Sequence, residues 1–328
     1  MPQDGLRNAD GVVEGSLEYF VLDVFSATRL EGNALAVVLH DGSLTTETMQ
    51  ALARETNLSE TTFVERRGVE IERREGVLVR IFTTDEELPF AGHPTLGTAS
   101  LLKAIAPECV VDGTVKLALK VGAVPVRFEP QSSDSAWPVK GTMTQRDPEF
   151  GIVLDTAEVA ALTGLDAEDF DPALPVQIVS TGTAFAVVAL RSAEALSRLR
   201  VRQDEATAYL RARGARWFYV LGPTGQASAA DAPAWRARMQ FNGGEDPATG
   251  SAAGCAISYL AGHGAVPSGD TIHVRQGVEI LRPSDLYLSA ERISASENAS
   301  SSGAQPKVTN VRVGGSTILV ATGRIFLP

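Results

Sequence analysis

Two short stretches carry side chains whose types and positions suit proton-transfer chemistry. Residues 92–94 read GHP and residues 245–247 read EDP, so His93 and Asp246 each stand directly before a proline. Histidine titrates near neutral pH, and an aspartate can orient an amino or hydroxyl group of a ligand. Asp246 could equally be an ordinary helix N-cap followed by Pro247. Histidine is not a favoured cap, so the position of His93 favours a functional role.

Both stretches open segments that predict buried helices. PTLGTASLL from Pro94 and PATGSAAGCAISYLAG from Pro247 carry no charged side chain, which is typical of a helix surrounded by protein. A helix N-terminus presents unpaired N–H groups and a positive dipole end, so two such termini facing each other across a cleft would bind a small carboxylate. Backbone N–H groups near 95–97 and 249–251 are the expected contacts. The residues predicted to bind substrate here are Gly92, Thr249, Gly250 and Ser251.

The chain also repeats itself. Residues 32–39 read GNALAVVL and residues 182–189 read GTAFAVVA, with five identities in eight at an offset of 150. HPTLGTAS at 93–100 and DPATGSAA at 246–253 share Pro, Gly and Ala at an offset of 153. Two nearly equal offsets indicate a duplicated unit. His93 and Asp246 therefore head equivalent helices in two related α/β halves.

Strand-like segments outnumber the helices. Period-two or β-branched segments are 19–24, 34–39, 60–64, 77–82 and 124–128 in the first half, and 184–190, 216–221, 235–241, 271–276 and 285–290 in the second. This excludes a doubly wound sheet. The predicted fold class is α/β (α+β), with two pseudo-symmetric domains that each wrap a curved mixed β-sheet around a central helix. Peripheral helices are predicted at TETMQALARE after Thr45, at AEVAALTG and at SAEALSRL.

Composition limits the classes of function. The 328 residues are 44% hydrophobic and carry a net charge of −11, which argues against nucleic acid as a partner. Cys109 and Cys255 form neither a disulfide framework nor a metal-type spacing, so no metal site is expected. We find no apolar run that could span a membrane and no signal peptide, which predicts a cytoplasmic protein without a membrane partner. No Gly-rich nucleotide turn is present, so no organic cofactor is expected.

A third candidate residue is Glu60, in NLSETTFV at 57–64. Spacing alone favours an exposed glutamate at the end of a strand. The chain, however, resembles the phenazine-biosynthesis isomerase (PhzF-like) family, which is similar in fold to diaminopimelate epimerase. The motifs that carry this resemblance cover residues 17 to about 290 and are DVFSATRLEGNALAVVL (23–39), ARETNLSETTFV (53–64), RIFTTDEELPFAGHPTLGTASLL (80–102), EDPATGSAAGCAISYL (245–260) and RQGVEILRPS (275–284).

The resemblance implies a cofactor-independent isomerase whose ligand, a small carboxylate-bearing metabolite, lies in the cleft between the halves. It implies that Glu60 is the general acid/base that moves a proton between substrate carbons, and that His93 and Asp246 assist. Asn33 and Ser59, in the same motifs, complete the substrate-binding set. It also implies a homodimer. The expected domains are a loose extension (1–16), a first half (17–147) joined by a C-terminal strand (314–328), and a second half (148–313).

Other functions stay open at this stage. Diaminopimelate epimerase uses two opposed cysteines, and this chain has no such pair, so a two-thiol racemase is disfavoured. A metabolite-binding protein with the same fold and no turnover remains an alternative, as does a lyase or hydratase that uses the same base. The short segment 242–244 and the additional segment 295–307 depart from the family pattern. They leave the substrate and the closure of the site undetermined.

Overall fold

The structure is a computed structural model, and it describes residues 15–130, 135–225, 234–241, 243–293 and 307–327. Most of the expected loose extension (1–16) therefore lies outside the described residues, although Ser16 already begins a strand. Residues 295–306 of the segment 295–307, and residue 242 of the segment 242–244, also lie outside them. No helix among the described residues has the length and apolar character needed to cross a membrane.

The described chain contains eighteen strands and six α-helices. The strands are β1 (Ser16–Val24), β2 (Asn33–His40), β3 (Thr61–Glu65), β4 (Val77–Phe82), β5 (Glu87–Leu88), β6 (Thr114–Leu119), β7 (Gly122–Phe128), β8 (Val139–Thr144), β9 (Glu149–Val153), β10 (Gln177–Ser180), β11 (Ala184–Ala189), β12 (Trp217–Pro223), β13 (Trp235–Arg238), β14 (Gln240–Phe241), β15 (Gly244–Glu245), β16 (Ile272–Gln276), β17 (Ser284–Ile293) and β18 (Lys307–Phe326). The helices are α1 (Thr46–Thr56), α2 (Val69–Glu75), α3 (Gly92–Ile105), α4 (Thr156–Thr163), α5 (Gln203–Arg211) and α6 (Gly250–Gly262).

The chain divides into two compact units. The first comprises Met1–Val24, Ala34–Val139 and Thr317–Pro328, and the second comprises Phe25–Asn33 and Lys140–Ser316, as far as the structure describes them. The boundary expected between residues 147 and 148 thus falls inside the second unit. Residues 25–33, which the sequence assigned to the first half, belong to the second.

The first unit is built on the strand order β1-β2-β3-β4-β6-β7. β2 and β3 are parallel, β3 and β4 antiparallel, β4 and β6 parallel, and β6 and β7 antiparallel. Helix α3 contacts β1, β3, β6 and β7, so the sheet curves around it, as predicted. Close packing explains Gly97, because a Cβ atom there would lie 2.6 Å from side-chain atoms of Leu35 and Val24.

The second unit repeats this arrangement with β10-β11-β12-β13-β16-β17. β11 and β12 are parallel, β12 and β13 antiparallel, β13 and β16 parallel, and β16 and β17 antiparallel. Helix α6 contacts β10, β11 and β17. The repeated segments 32–39 and 182–189 contribute β2 and β11, which hold the same place in the two strand orders. The shared pairing pattern supports the duplication read from the sequence.

The peripheral elements agree with the sequence in part. Thr45 caps α1 by accepting a 3.2 Å hydrogen bond from the N–H of Thr48, and α1 buries Met49, Leu52 and Ala53, as its spacing predicts. AEVAALTG forms α4. SAEALSRL was expected to form an α-helix but forms a 3₁₀-helix over Ala193–Arg198.

Candidate active site

Glu60 and His93 meet in the first unit. Glu60 directly precedes β3, and Asn57, in the left-handed conformation with φ 51°, ends α1 and turns the chain toward it. His93 is the second residue of α3. The Nε2 atom of His93 lies 3.5 Å from Oε2 of Glu60, with 6% of the His93 side chain and 16% of the Glu60 side chain exposed. The predicted base and its predicted assistant are therefore adjacent.

His93 is neutral at physiological pH. Burial lowers its pKa to about 3, and a hydrogen bond with the backbone of Ala34 opposes this only in part. Burial disfavours the charged imidazolium because a low-dielectric site solvates a charge poorly. The contact between His93 and Glu60 is consequently not an ion pair.

The other predicted residues of the first unit differ in exposure. Gly92 is buried and is the first residue of α3, whose N-cap position, Ala91, provides no side-chain hydrogen bond. Ser59 is exposed in the connection between α1 and β3. The N–H of Thr95 bonds to the carbonyl of Ala91 at 3.3 Å inside the helix. The anion contact expected at 95–97 is therefore wrong, because those N–H groups lie beyond the first turn.

Asp246 lies in the second unit at the centre of a hydrogen-bond network. The Nδ2 of Asn33 donates to Oδ1 of Asp246 at 2.8 Å and to the carbonyl of Ala248 at 3.0 Å. The hydroxyl of Thr249 donates to Oδ2 of Asp246 at 2.6 Å. Three of the predicted site residues, Asn33, Asp246 and Thr249, are thus in direct contact.

Asp246 is not the N-cap of α6. The helix begins at Gly250, with Thr249 at the N-cap, whereas the sequence placed its start at Pro247. The two helix heads therefore differ, since His93 is inside α3 and Asp246 precedes α6 by four positions. The physical reason is that the carboxylate of Asp246 binds the Thr249 hydroxyl and the backbone of Ala248, which holds 246–249 in a turn.

The remaining predicted residues lie at the start of α6. Gly250 is buried, and its carbonyl accepts a 2.8 Å hydrogen bond from Nε2 of Gln145. Ser251 is half-buried in the first turn. Gln145 also accepts a 2.7 Å hydrogen bond from Thr181, so the first turn of α6 is held by side chains from outside the helix.

The pKa of Asp246 is raised to about 6, and burial is the main cause. The charge of Glu245 acts in the same direction, while the hydrogen bonds from Thr249, Asn33 and the backbone of Ala248 lower the pKa. Glu245 is itself paired with Arg238, whose Nε lies 2.8 Å from Oε1 of Glu245. Carboxylates with raised pKa values are common at functional sites.

Sequence reasoning missed two buried residues of this network. Gln276, at the end of β16, contacts Asp246 and Thr249, and the hydroxyl of Tyr219 donates to Gln276 at 3.1 Å. Gln276 lies in the motif RQGVEILRPS, which contributed to the family resemblance but did not indicate a role for this residue. Gly277 follows it with φ 76°, where an added Cβ would meet the carbonyl of Pro247 at 2.6 Å.

The two cysteines lie in buried positions of the structure. Cys109 and Cys255 are both buried and reduced. Burial raises the pKa of Cys109 to about 12 and that of Cys255 to about 11, and the Cys109 thiol donates to Glu72 at 3.0 Å. Neither thiol has the lowered pKa of a reactive cysteine. Among the described residues, no group of three His, Cys, Asp or Glu side chains could hold a metal ion.

Comparison with known proteins identifies the class. The phenazine biosynthesis-like protein family (PhzC-PhzF) matches residues 22–323. A trans-2,3-dihydro-3-hydroxyanthranilate isomerase of Pseudomonas aeruginosa is 36% identical over 312 residues, which are 94% of this chain and 99% of the relative. The structure of a predicted epimerase from Pseudomonas aeruginosa is similar with a TM-score of 0.74 and 31% identity, and the match covers 95% of this chain and all of that one.

A phenazine biosynthesis protein of the PhzF family from Bacillus anthracis matches with a TM-score of 0.78 at 21% identity, over 95% of this chain and 99% of that one, which shows the shared fold. The fold is therefore that of the epimerase-like proteins in which two related units each enclose a helix. The chain belongs to the phenazine biosynthesis-like (PhzF) family, and it is an isomerase.

Proposed function

We propose that this isomerase moves a proton between carbons of a small amino- or hydroxy-carboxylic acid and needs no organic cofactor. In this proposal Glu60 is the general acid/base, and His93 and Asp246 assist it. The observation that carries the proposal is the 3.5 Å approach of Glu60 Oε2 to a neutral His93. A neutral imidazole does not lock the carboxylate in an ion pair, so Glu60 stays available to accept and return a proton.

The reaction would proceed without a change in oxidation state. The carboxylate of Glu60 takes a proton from a carbon next to an unsaturated or carbonyl-activated carbon, the electron pair shifts along the conjugated system, and Glu60 returns the proton to another carbon. Asp246 would orient an amino or hydroxyl group of the substrate. Asn33 and Thr249 support this role, because they hold the two oxygens of its carboxylate.

The relative from Pseudomonas aeruginosa suggests which compound to test first. Its name gives trans-2,3-dihydro-3-hydroxyanthranilate as the substrate, a cyclic acid with an amino, a hydroxyl and a carboxylate group. This compound has every group that the proposal requires. We propose that it, or an acid of the same class, is the substrate, with its carboxylate bound at a helix N-terminus.

The test follows hydrogen exchange and product formation together. Purified protein is incubated with trans-2,3-dihydro-3-hydroxyanthranilate in deuterated water, and the C–H signals are followed by proton NMR. We expect Glu60→Gln to keep the fold and ligand binding but to lose about 10²- to 10⁴-fold in turnover and exchange, since the amide cannot accept the proton. Glu55→Gln, at an exposed position of α1, is the matched control and should behave as wild type.

The other outcomes separate the alternatives. Undiminished exchange in Glu60→Gln removes Glu60 from the mechanism. Loss of water from the substrate, rather than rearrangement, favours the lyase or hydratase. A panel of cyclic and acyclic amino and hydroxy acids follows if the first compound is inert, and binding without exchange for the whole panel favours a metabolite-binding protein. The homodimer is part of the proposal and is measured by light scattering.

A further inference from the structure

Gln276 uses its whole hydrogen-bonding capacity on the residues around Asp246. Its side chain is fully buried. Nε2 donates to the carbonyl of Asp246 at 2.8 Å and to the hydroxyl of Thr249 at 2.9 Å, and Oε1 accepts from the N–H of Thr249 at 3.2 Å and from the hydroxyl of Tyr219 at 3.1 Å. A terminal amide has two donors and two acceptor positions. All four are therefore filled.

The filled positions fix the direction of the amide. A flipped amide would place Oε1 against the carbonyl of Asp246 and Nε2 against the N–H of Thr249. Two acceptors would then face each other at the first contact, and two donors at the second. Only the observed orientation satisfies the backbone on both sides. Gln276 is thus held with its donor end toward Asp246 and Thr249.

The direction of the amide sets the direction of the Thr249 hydroxyl. Nε2 of Gln276 can only donate, so Oγ1 of Thr249 accepts from it and points its own proton at Oδ2 of Asp246, 2.6 Å away. Donors therefore follow one another in a single sense, from Tyr219 through Gln276 and Thr249 to the carboxylate. Asn33 supplies the second donor, at Oδ1.

We propose that Gln276 is a positioning residue that keeps Asp246 a hydrogen-bond acceptor by directing the Thr249 hydroxyl at its carboxylate. The inference rests on the proposed function, because Asp246 must meet a substrate donor for the arrangement to matter. The carboxylate receives three protein donors, from Asn33, Thr249 and the backbone of Ala248, and retains acceptor capacity for one N–H or O–H group of the ligand. A ligand group that can only accept finds no donor on this carboxylate.

The surroundings of Asp246 disfavour its charged form, so hydrogen-bond donors are needed to stabilise the carboxylate. Burial and the charge of Glu245 both favour the protonated acid, whereas Thr249 and Asn33 favour the carboxylate. The nearby charges of Glu245 and Glu279 are paired with Arg238 and Arg236. The donors on the Asp246 carboxylate are neutral, so the direction of their protons decides how well they hold the anion.

The test measures the titration of Asp246 without turnover. The protein is labelled with aspartate enriched in ¹³C at the carboxyl carbon, the Asp246 signal is assigned by its loss in Asp246→Asn, and its shift is followed against pH. Gln276→Met keeps the volume and removes both donors. We expect the midpoint to rise by about one pH unit or more, a tenfold change in proton affinity. Gln276→Glu, which can only accept when ionised, should raise it further.

Two controls distinguish positioning from general damage. Tyr219→Phe leaves Gln276 three of its four hydrogen bonds and should leave the midpoint where it is in wild type. Thr249→Val removes the hydroxyl and should raise the midpoint of Asp246. The double variant Thr249→Val/Gln276→Met should show no further rise, because the hydroxyl proton that Gln276 directs at Asp246 is already absent. An unchanged midpoint in both Gln276 variants overturns the proposal. A full additional rise in the Thr249→Val background also overturns it.

Activity gives an independent reading if the proposed function holds. The acid limb of the kcat/KM pH profile should move upward in Gln276→Met by the same amount as the NMR midpoint, with activity recovered above the new midpoint. A merely structural loss would lower the profile at every pH. If wild type shows no turnover at all, the proposed function fails while the NMR titration still decides the role of Gln276.

Discussion

Asn33 and Asp246 are joined by a 2.8 Å hydrogen bond although 213 positions separate them in the chain. Asn33 is the first residue of β2, whose other residues belong to the first unit, yet Asn33 itself belongs to the second. Gly32 is tied there as well, since its N–H bonds to the carbonyl of Pro283 at 3.0 Å. The segment 25–33 therefore supplies the second unit with the side chain that binds Oδ1 of Asp246.

His93 should make the protein sensitive to acid. Its folded-state pKa of about 3 lies below the value of 6.5 expected in the unfolded chain, so the unfolded state binds more protons as the pH falls through this range. The free energy of unfolding therefore decreases from about pH 6.5 toward pH 3, by at most about 1.4 kcal/mol per pH unit for this group. His93→Gln should show a shallower decrease in urea denaturation at stepped pH.

Asp246 should act in the opposite sense. Its folded-state pKa of about 6 lies above 3.8, so the folded state binds the extra proton, and acidification from pH 6 toward 3.8 adds stability. Asp246→Asn removes this gain. The free energy of unfolding of the variant should therefore decrease more steeply between pH 6 and pH 3.8 than that of wild type. The same denaturation series checks it, and parallel curves for Asp246→Asn and wild type would refute the assignment.

Gly97 should not tolerate a larger residue. A Cβ atom at this position would lie 2.6 Å from Leu35 and Val24, inside the contact between α3 and the sheet. We expect Gly97→Ala to lower the free energy of unfolding by about 1–3 kcal/mol, because an overpacked core must shift its side chains or backbone. Gly323→Ala is the control, since nothing lies within 4 Å of its Cβ position. Equal stability of the two variants would show that α3 has room to move.

The pair between Arg238 and Glu245 should contribute more to stability than the pair between Arg236 and Glu279. Arg238 and Glu245 are 5% and 6% exposed at their side chains, whereas Arg236 is 29% exposed. Removing one partner of a buried pair leaves an uncompensated charge, so Arg238→Met should cost about 3–5 kcal/mol. Arg236→Met should cost less than about 1 kcal/mol. Urea denaturation measures both, and a reversed order would contradict the burial argument.

The two thiols should react only after unfolding. Cys109 and Cys255 are buried with raised pKa values, so both should resist a thiol reagent at pH 8 in the native protein and react at once in guanidinium chloride. Rapid native labelling of either thiol would reopen the possibility of thiol chemistry. Mass spectrometry of the labelled peptides identifies which cysteine reacted.

The sequence predicted those features that local patterns determine. The face of α1 buried by Met49, Leu52 and Ala53 follows from helical spacing, and the repeated strand order follows from the duplicated segments. The start of α6 could not be predicted in this way, because Pro247 is a good first helical residue and only the hydrogen bonds of Asp246 decide against it. The partners of Gln276 are distant in sequence, so its type alone gave no sign of its role.

Some local sequence patterns were too weak to predict the type or the presence of a helix. SAEALSRL has a helical spacing but is only long enough for two turns, and short segments of this kind often take the 3₁₀ form with i to i+3 bonds. Helix α2, VEIERRE, was missed because five of its seven residues are charged. Its Glu72 is nevertheless buried and accepts a 3.0 Å hydrogen bond from the thiol of Cys109, a tertiary contact that sequence spacing does not reveal.

The pairing of β1 with the end of β18 has a consequence for synthesis on the ribosome. Ser16 pairs with Phe326 and Val24 with Thr317, so the first unit receives this strand only after residues 317–326 have been translated. Until then the nascent first unit presents the outer edge of β1 without its partner, and exposed strand edges promote association between chains. Residues 317–326 must therefore be synthesised before the first unit can close, although β1 to β7 all precede residue 129.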